Sequence, residues 1–207
     1  MGSSGLNEPV VYVVDDDPAV LDSVRWLVES VDLKVETYPS GRDFLDSYQP
    51  HQPGCLIADV RMPGMSGLEL QQELSARGYG IPVIIITGHG DLPMAIQAMK
   101  DGAYDFIQKP FGDQALIDTV QKAVEQNLAT SKERLFLQDI QERLNKLTPR
   151  EKEVLDQVVA GEPNKRIAGT LGVSEKTVEA HRSKVMEKMQ AKSLANLIKM
   201  VVVVDTD

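Results

Sequence analysis

The chain has 207 residues, 42% of them hydrophobic and 26% charged, with a net charge of −9 and one cysteine. That is enough chain for one large or two small packed domains, and it excludes a disulfide framework. No stretch approaches the roughly 18 apolar residues of a transmembrane helix, the run Val201–Val204 being far too short, so the expected compartment is the cytoplasm.

The charge is unevenly spread. Residues 1–127 hold 8 Lys and Arg against 19 Asp and Glu, a net of −11. Residues 128–207 hold 14 against 12, a net of +2, and within them the segment 164–192 holds 7 against 3, a net of +4. An acidic half followed by a basic segment points to a metal or phosphate site joined to a nucleic-acid surface.

Met1-Gly2-Ser3-Ser4-Gly5 has no signal character and reads as an expression remnant outside the fold. Strand and helix patterns then alternate. Val10–Asp15 is a run of strand formers ending on Asp15, Asp16 and Asp17. Pro18 opens a helix with Val20, Leu21, Val24, Leu27 and Val28 at helical spacing. A weak strand, Lys34–Tyr38, precedes a short helix through Phe44 and Leu45. The third strand, Cys55–Asp59, places Cys55 in the core and not among reactive thiols. After the turn-rich stretch Arg61–Gly67 comes a helix carrying Leu68, Leu70 and Leu74. Val83–Ile86 ends on Thr87, Gly88-His89-Gly90 forms a loop able to move, and Leu92–Asp101 is helical. The fifth strand, Asp105–Gln108, ends on Lys109-Pro110. Five such units predict an α/β domain, a doubly wound five-stranded parallel sheet with its ligands at the carboxyl ends of the strands.

From Gln114 the pattern is one long helix. Leu116, Val120, Ala123 and Val124 face the sheet. Further on, Leu137, Ile140, Leu144 and Leu147 make a heptad-like seam, too short for a coiled coil but apolar on one side. The last 60 residues or so are all helical in pattern. Thr148-Pro149-Arg150-Glu151 is a capping box with Pro at the first helical position. That helix stops at Gly161, and a short one covers about Lys165–Leu171. Gly172-Val173 is a tight turn, Ser174 caps a basic helix to about Met189, and Ser193 caps a final helix. Two helices joined by a Gly turn, the second basic, predict a helix-turn-helix.

The strand ends carry the chemistry. Asp15, Asp16 and Asp59 are hard oxygen donors suited to Mg²⁺. Lys109 supplies a point charge and Thr87 a hydroxyl for a phosphoryl group, the parts needed for phosphoryl transfer to an aspartate. Two chemistries fit such parts. A haloacid-dehalogenase-type phosphatase would use the D-x-D spacing at Asp15–Asp17. However, Ala19 stands where Thr or Val is expected, no acidic pair follows Lys109, and Asp59 would be idle. A receiver domain uses an acidic pair after the first strand, an Asp after the third, Thr or Ser after the fourth and Lys-Pro after the fifth, all of which stand here in that order.

The motifs Val14-Asp15-Asp16-Asp17, Asp59-Val60-Arg61-Met62-Pro63, Ile86-Thr87-Gly88-His89-Gly90-Asp91 and Lys109-Pro110-Phe111 resemble the receivers of FixJ-type regulators. Leu147-Thr148-Pro149-Arg150-Glu151, Pro163-Asn164-Lys165-Arg166-Ile167-Ala168 and Lys176-Thr177-Val178-Glu179-Ala180-His181-Arg182 resemble the LuxR-type helix-turn-helix of the same family. The resemblance, to two-component response regulators of the FixJ/NarL type, covers essentially residues 10–200. It implies a flavodoxin-like receiver at 6–126, a helical linker at 127–146 and a LuxR-type DNA-binding domain at 147–207.

It further implies that Asp59 accepts a phosphoryl group from the phosphohistidine of a sensor histidine kinase. Asp16, Asp59 and the backbone carbonyl of Arg61 would hold Mg²⁺ directly, and Asp15 through water. Lys109 and Thr87 would contact the phosphoryl group, Phe106 would be the aromatic switch, and Lys109–Pro110 would be cis. Met94, Ile96 and Met99, with the fifth strand, would form a homodimer face on phosphorylation. The partners would be the kinase, double-stranded DNA and RNA polymerase, and the chain would not be an enzyme. A receiver that only docks, without phosphorylation, is the remaining alternative; the complete Asp, Thr and Lys set speaks against it. On the basic helix, Lys176, Thr177, Glu179, Arg182, Ser183 and Lys184 are the expected exposed, DNA-facing positions, and Lys165 a phosphate clamp. Glu179 departs from the basic residue of some relatives, and could accept from cytosine or orient Arg182.

Overall fold

The computed structural model describes residues 8–50, 52–88 and 92–205. The expected remnant at Met1–Gly5, and the loop and motif residues His89, Gly90 and Asp91, lie outside the described residues. The chain divides into two compact units, residues 1–132 and 133–207.

In the first unit the strands are β1 (Val10–Val14), β2 (Lys34–Tyr38), β3 (Gly54–Asp59), β4 (Val83–Thr87) and β5 (Asp105–Gln108). The helices are α1 (Pro18–Glu29), α2 (Gly41–Ser47), α3 (Gly67–Ala76), α4 (Leu92–Lys100) and the long α5 (Asp113–Asn145), which runs on past the division. All strand pairs are parallel, in the order β2-β1-β3-β4-β5. Because side chains alternate along a strand, β1 feeds two cores. Val10, Tyr12 and Val14 pack with Phe44, Leu70, Leu74 and Ala98, from α2, α3 and α4. Val11 and Val13 pack with Val24, Val28, Leu116 and Val120, from α1 and α5. Strands buried on both faces read as unbroken apolar runs, as Val10–Val14 does. Cys55 is fully buried, and burial pushes its thiol up to about 12, so it is a core residue. Lys109–Pro110 is cis.

The second unit holds the end of α5, then α6 (Pro149–Val159), α7 (Asn164–Leu171), α8 (Glu175–Lys188) and α9 (Leu194–Asp205). The capping box expected at Thr148 is present: its hydroxyl accepts from Glu151 N–H, and Glu151 accepts from Thr148 N–H. Gly172 ends α7 in the left-handed region (φ +66°), which a side chain rarely adopts. Val154, Ile167, Val178, Val185, Met189 and Leu197 form the core.

Two expectations about the joining helix change. The heptad-like seam is not an open apolar stripe. Ile140 and Leu147 are buried in the core of the second unit, with Leu144 packed against it. Residues spent inside one chain cannot also zip two chains together. At the other end, Asn127 is buried against the sheet. Its side chain accepts from Gly54 N–H (3.0 Å) and donates to Gly80 C=O (2.9 Å), tying the start of β3 to the loop before β4. The stretch expected as linker from residue 127 therefore begins and ends inside packed units. Among the described residues no helix is long and apolar enough to cross a membrane.

Candidate functional site

The strand order places β1 beside β3 while α1 and α3 leave on opposite faces. This is the switch point at which open parallel sheets form clefts at their carboxyl ends. Asp15 follows β1, Asp59 ends β3, Thr87 ends β4 and Lys109 follows β5. The Lys109 ammonium reaches across to Asp59 Oδ1 (2.6 Å) and Asp15 Oδ2 (3.2 Å). Each carboxylate also has a backbone partner. Asp15 Oδ1 accepts from Asp17 N–H (2.8 Å) and Asp59 Oδ2 from Arg61 N–H (2.7 Å). Asp17 takes the plainer role, as the N-cap of α1 through Ala19 N–H (2.8 Å).

Burial decides the electrostatics. Asp15 is 3% exposed, and that burial raises its pKa above the usual carboxylate range despite the Asp17 N–H and Lys109. Burial also works against the Lys109 ammonium, but the hydrogen bond to Asp59 and the charges of Asp59 and Asp15 outweigh it and raise its pKa. Asp16 stays exposed at the rim. Two carboxylates, Asp15 and Asp59, thus share one ammonium, and a negative charge is left over in the cleft.

Among the described residues no set of three acidic, His or Cys side chains is assembled to hold a metal. Mg²⁺ does not need one, since it commonly takes one or two carboxylates and keeps its waters. The donor set fits: Asp15, Asp16 and Asp59 with the Arg61 carbonyl, all hard oxygens at one strand edge. Thr87 is buried beside this cleft and its backbone carbonyl accepts from Lys109 N–H (2.7 Å), which fixes the turn that carries the lysine. Phe106 is half-buried against the core beneath α2–α4.

One residue that shapes the cleft has no chemical side chain. A Cβ on Gly67 would lie 2.4 Å from the Asp59 carbonyl oxygen. Only glycine lets the start of α3 come this close beneath Asp59. The turn-rich stretch Arg61–Gly67 contains it, but spacing does not say which glycine is the tight one. The neighbouring Ser66 and Glu69 form a capping box that fixes where α3 begins.

In the second unit Lys165, Lys176, Glu179, Ser183 and Lys184 are exposed on α7 and α8, as expected. Two residues are less free. The Thr177 hydroxyl pairs with the cap residue Ser174 (2.8 Å), and Thr177 is half-buried. Arg182 is half-buried too, and Nη1 donates to Asn164 Oδ1 at the head of α7 (2.8 Å). The residue orienting Arg182 is therefore Asn164 and not Glu179. Nothing in the spacing of Asn164 and Arg182, 18 residues apart, announces that pair.

Known proteins fit both halves. Residues 11–121 match the response regulator receiver domain, and residues 145–201 the bacterial regulatory proteins of the luxR family. The chain is 45% identical to the transcriptional regulatory protein TdiR of Thauera aromatica, over 94% of this chain and 86% of that one. It is 46% identical to the transcriptional regulatory protein FixJ of Azorhizobium caulinodans, over 92% and 90%. Among solved structures, the response regulator StyR matches with TM-score 0.89 and 44% identity over 94% of this chain and 98% of that one. Full-length FixJ from B. japonicum matches with TM-score 0.57 and 38% identity, over 97% and 99%.

Proposed function

This chain belongs to the two-component response regulators that join a receiver to a LuxR-type DNA-binding domain and act as transcription regulators, and on that premise we propose that Asp59 is its phosphoacceptor. The observation that carries this is the Lys109 bridge: one ammonium on Asp59 and Asp15, in a cleft with more acid than base.

An Asp59 carboxylate oxygen attacks the phosphorus of a kinase phosphohistidine. The new P–O bond makes an acyl phosphate, the P–N bond breaks, and the imidazole nitrogen keeps the electron pair and takes a proton. Asp59 is held for in-line attack by Arg61 N–H. Lys109 follows the developing phosphoryl charge, and the Thr87 hydroxyl donates to a phosphoryl oxygen. Asp16, Asp59 and the Arg61 carbonyl would hold Mg²⁺ directly and Asp15 through water, and the ion would supply charge screening between the phosphoryl group and the carboxylates.

The output is a change of surface. As Thr87 is drawn to the phosphoryl group, Phe106 moves inward and reshapes the face around Met94, Ile96 and Met99. Ile96 and Met99 are 48% and 41% exposed, large apolar side chains that a second receiver would cover. Dimerisation brings two α8 helices to a two-fold related DNA site. Arg182 and Lys176 meet bases and phosphates, Lys165 and Lys184 meet phosphates, Ser183 and Thr177 line the contact, and Glu179 tunes base choice. RNA polymerase responds to the bound dimer in the cytoplasm, with the long helix α5 joining the two activities.

Intact mass after treatment with a small phosphodonor tests the acceptor. The wild type gains one phosphoryl group, and Asp59→Asn gains none. Undiminished acid-labile phosphate on Asp59→Asn would remove the assignment.

A further inference from the structure

The match to the luxR-family proteins begins at residue 145, yet the end of α8 is held by a residue that precedes it. Helix α8 closes on the fully buried Met189 and turns through Gln190 at φ +53°, in the left-handed region that a side chain rarely adopts. That turn returns Gln190 N–H to the Glu187 carbonyl and Ala191 N–H to the Met186 carbonyl, which satisfies two of the helix's open acceptors. The Met189 carbonyl is met from another helix. Arg143, on α5, donates to it from Nη1 at 2.9 Å.

The guanidinium is aimed by its own helix. Nε and Nη2 take the two oxygens of Asp139, one turn back on α5, at 3.1 and 2.5 Å. This planar fork is a geometry that lysine does not reproduce. The Asp139 side chain is 51% exposed and that of Arg143 only 17%, so the pair runs from solvent inward to the carbonyl. Ile140 and Leu144, from the same stretch of α5, share a core with Val185 and Met189 of α8. In return Lys188 donates to the Lys146 carbonyl, just past the end of α5, at 3.2 Å. Each helix thus places a cation at the C-terminal end of the other, where the helix dipole favours one. Ser174 caps the opposite end of α8 through Thr177 N–H. A helix fastened at both ends keeps its axis.

We propose that Arg143 is a positioning residue for DNA recognition. By holding the Met189 carbonyl it fixes the axis of α8, and so which bases α8 can reach, without touching DNA itself. The DNA-binding function then starts on α5, at Asp139 and Arg143, and not where the family match starts. The proposal rests on the reading of α8 as the DNA-facing helix. Base contacts need a side chain at one edge in one direction, whereas phosphate contacts tolerate a shifted axis. Losing the clamp should therefore cost specificity before it costs affinity.

The test uses the full chain, with or without a small phosphodonor, in whichever state binds DNA more tightly. One probe is a duplex enriched from a random pool by the wild type, the other a shuffled duplex of the same composition. Arg143→Met should lower the ratio of specific to shuffled affinity at least about fivefold, the size of one lost hydrogen bond. Affinity for the shuffled duplex should stay within about twofold, since the phosphate contacts remain. A variant that is merely less stable loses both affinities in proportion to its folded fraction and leaves the ratio where it was. Asp139→Asn removes the fork but keeps the donor, and should lower the ratio at least about twofold. Its exposed position spares the core, so it decides alone if Arg143→Met does not fold. The double variant Lys176→Ala, Lys184→Ala is the control for α8 and should weaken both probes. An unchanged ratio in Arg143→Met, or a proportional loss on both probes, while the control is weakened, overturns the clamp and leaves α8 as the DNA-facing helix. If the control binds both probes like the wild type, the reading of α8 fails and the proposal falls with it.

Discussion

Two lysines in this chain lie 2.6 Å from a carboxylate, Lys109 from Asp59 in the receiver and Lys188 from Glu151 in the DNA-binding half. The surroundings set them apart. Glu151, 3% exposed, accepts from the Thr148 N–H inside the capping box as well as from Lys188. One negative charge meets one positive charge and a backbone dipole, and the lysine bond first, then the Thr148 N–H, hold the Glu151 carboxyl down at about 2. In the receiver Lys109 is shared between Asp15 and Asp59 with Asp16 nearby, and burial pushes Asp15 the other way, up. A balanced pair stabilises a fold. An unbalanced cluster keeps a cost that only a further cation or a changed partner removes, and that is how a site differs from a staple.

The largest expected effect is the acid response of the balanced pair. The Glu151 pKa is lowered from 4.5 to about 2, so the pair's contribution is fully present above 4.5 and is lost as pH falls through about 2. Discounted for a Lys188 side chain that is 34% exposed, the loss should be roughly 2–3 kcal/mol. Hydrogen exchange at Val154 and Val185 amides should show it, and Glu151→Gln should flatten that part of the profile. Asp15 has the opposite sign. Its raised pKa means its contribution is greatest below the usual carboxylate range and declines as pH rises. Asp15→Asn should remove that trend from Val13 and Ile85 amides. Parallel acid profiles in the two units would erase the distinction.

Next in size is removal of each lysine. Lys188→Met leaves Glu151 buried with half its partners and should cost about 2 kcal/mol of stability in the second unit, less than a wholly buried pair because Lys188 is partly solvated. Mg²⁺ should not restore it, since a single capping carboxylate is a poor Mg²⁺ site. Lys109→Met should destabilise the receiver in EDTA and recover with Mg²⁺, because the cation takes the vacated place between Asp15 and Asp59. Thermal melts of both variants, with and without Mg²⁺, check this. Equal rescue of both, or of neither, would break the comparison.

Much of this was legible before any coordinates, and for a physical reason. The sheet is parallel and buried, so its strands are unbroken apolar runs, and Asp15, Asp59, Thr87 and Lys109 stand where those runs stop, with Lys109 bridging the first two. The capping box at Thr148 was legible because caps are local in sequence. What stayed hidden was mostly non-local. Nothing near Glu151 announces Lys188, 37 residues on, nor does Arg182 announce Asn164. The seam at Ile140 and Leu144 has the right period for a zipper, and period alone does not tell which surface covers an apolar face. Gly67 was hidden differently, since a missing side chain carries meaning only once its neighbour is placed.

The smallest effect is Mg²⁺ binding to the wild-type chain. A ligand that binds only the folded state stabilises it by RT ln(1 + [L]/Kd), about 1.4 kcal/mol at ten times Kd. The gain should appear in the receiver, as slower exchange at Val13 and Ile85 amides, and be absent at Val154 and Val185. Asp16 is the sharpest place to cut. It is exposed, so Asp16→Asn removes a charge without opening the core and should leave the metal-free receiver as stable as before. With that charge gone, the strand ends offer one hard oxygen donor fewer beside Asp15 and Asp59. The same Mg²⁺ concentration should then give less than half the stabilisation. Asp59→Asn should act similarly, but it also removes the proposed acceptor, whereas Asp16→Asn should leave Asp59 open to the proposed phosphorylation at high Mg²⁺. If Asp16→Asn keeps the full Mg²⁺ response, the cation is held by Asp15 and Asp59 alone, and the imbalance that separates Lys109 from Lys188 lies wholly inside the Lys109 bridge.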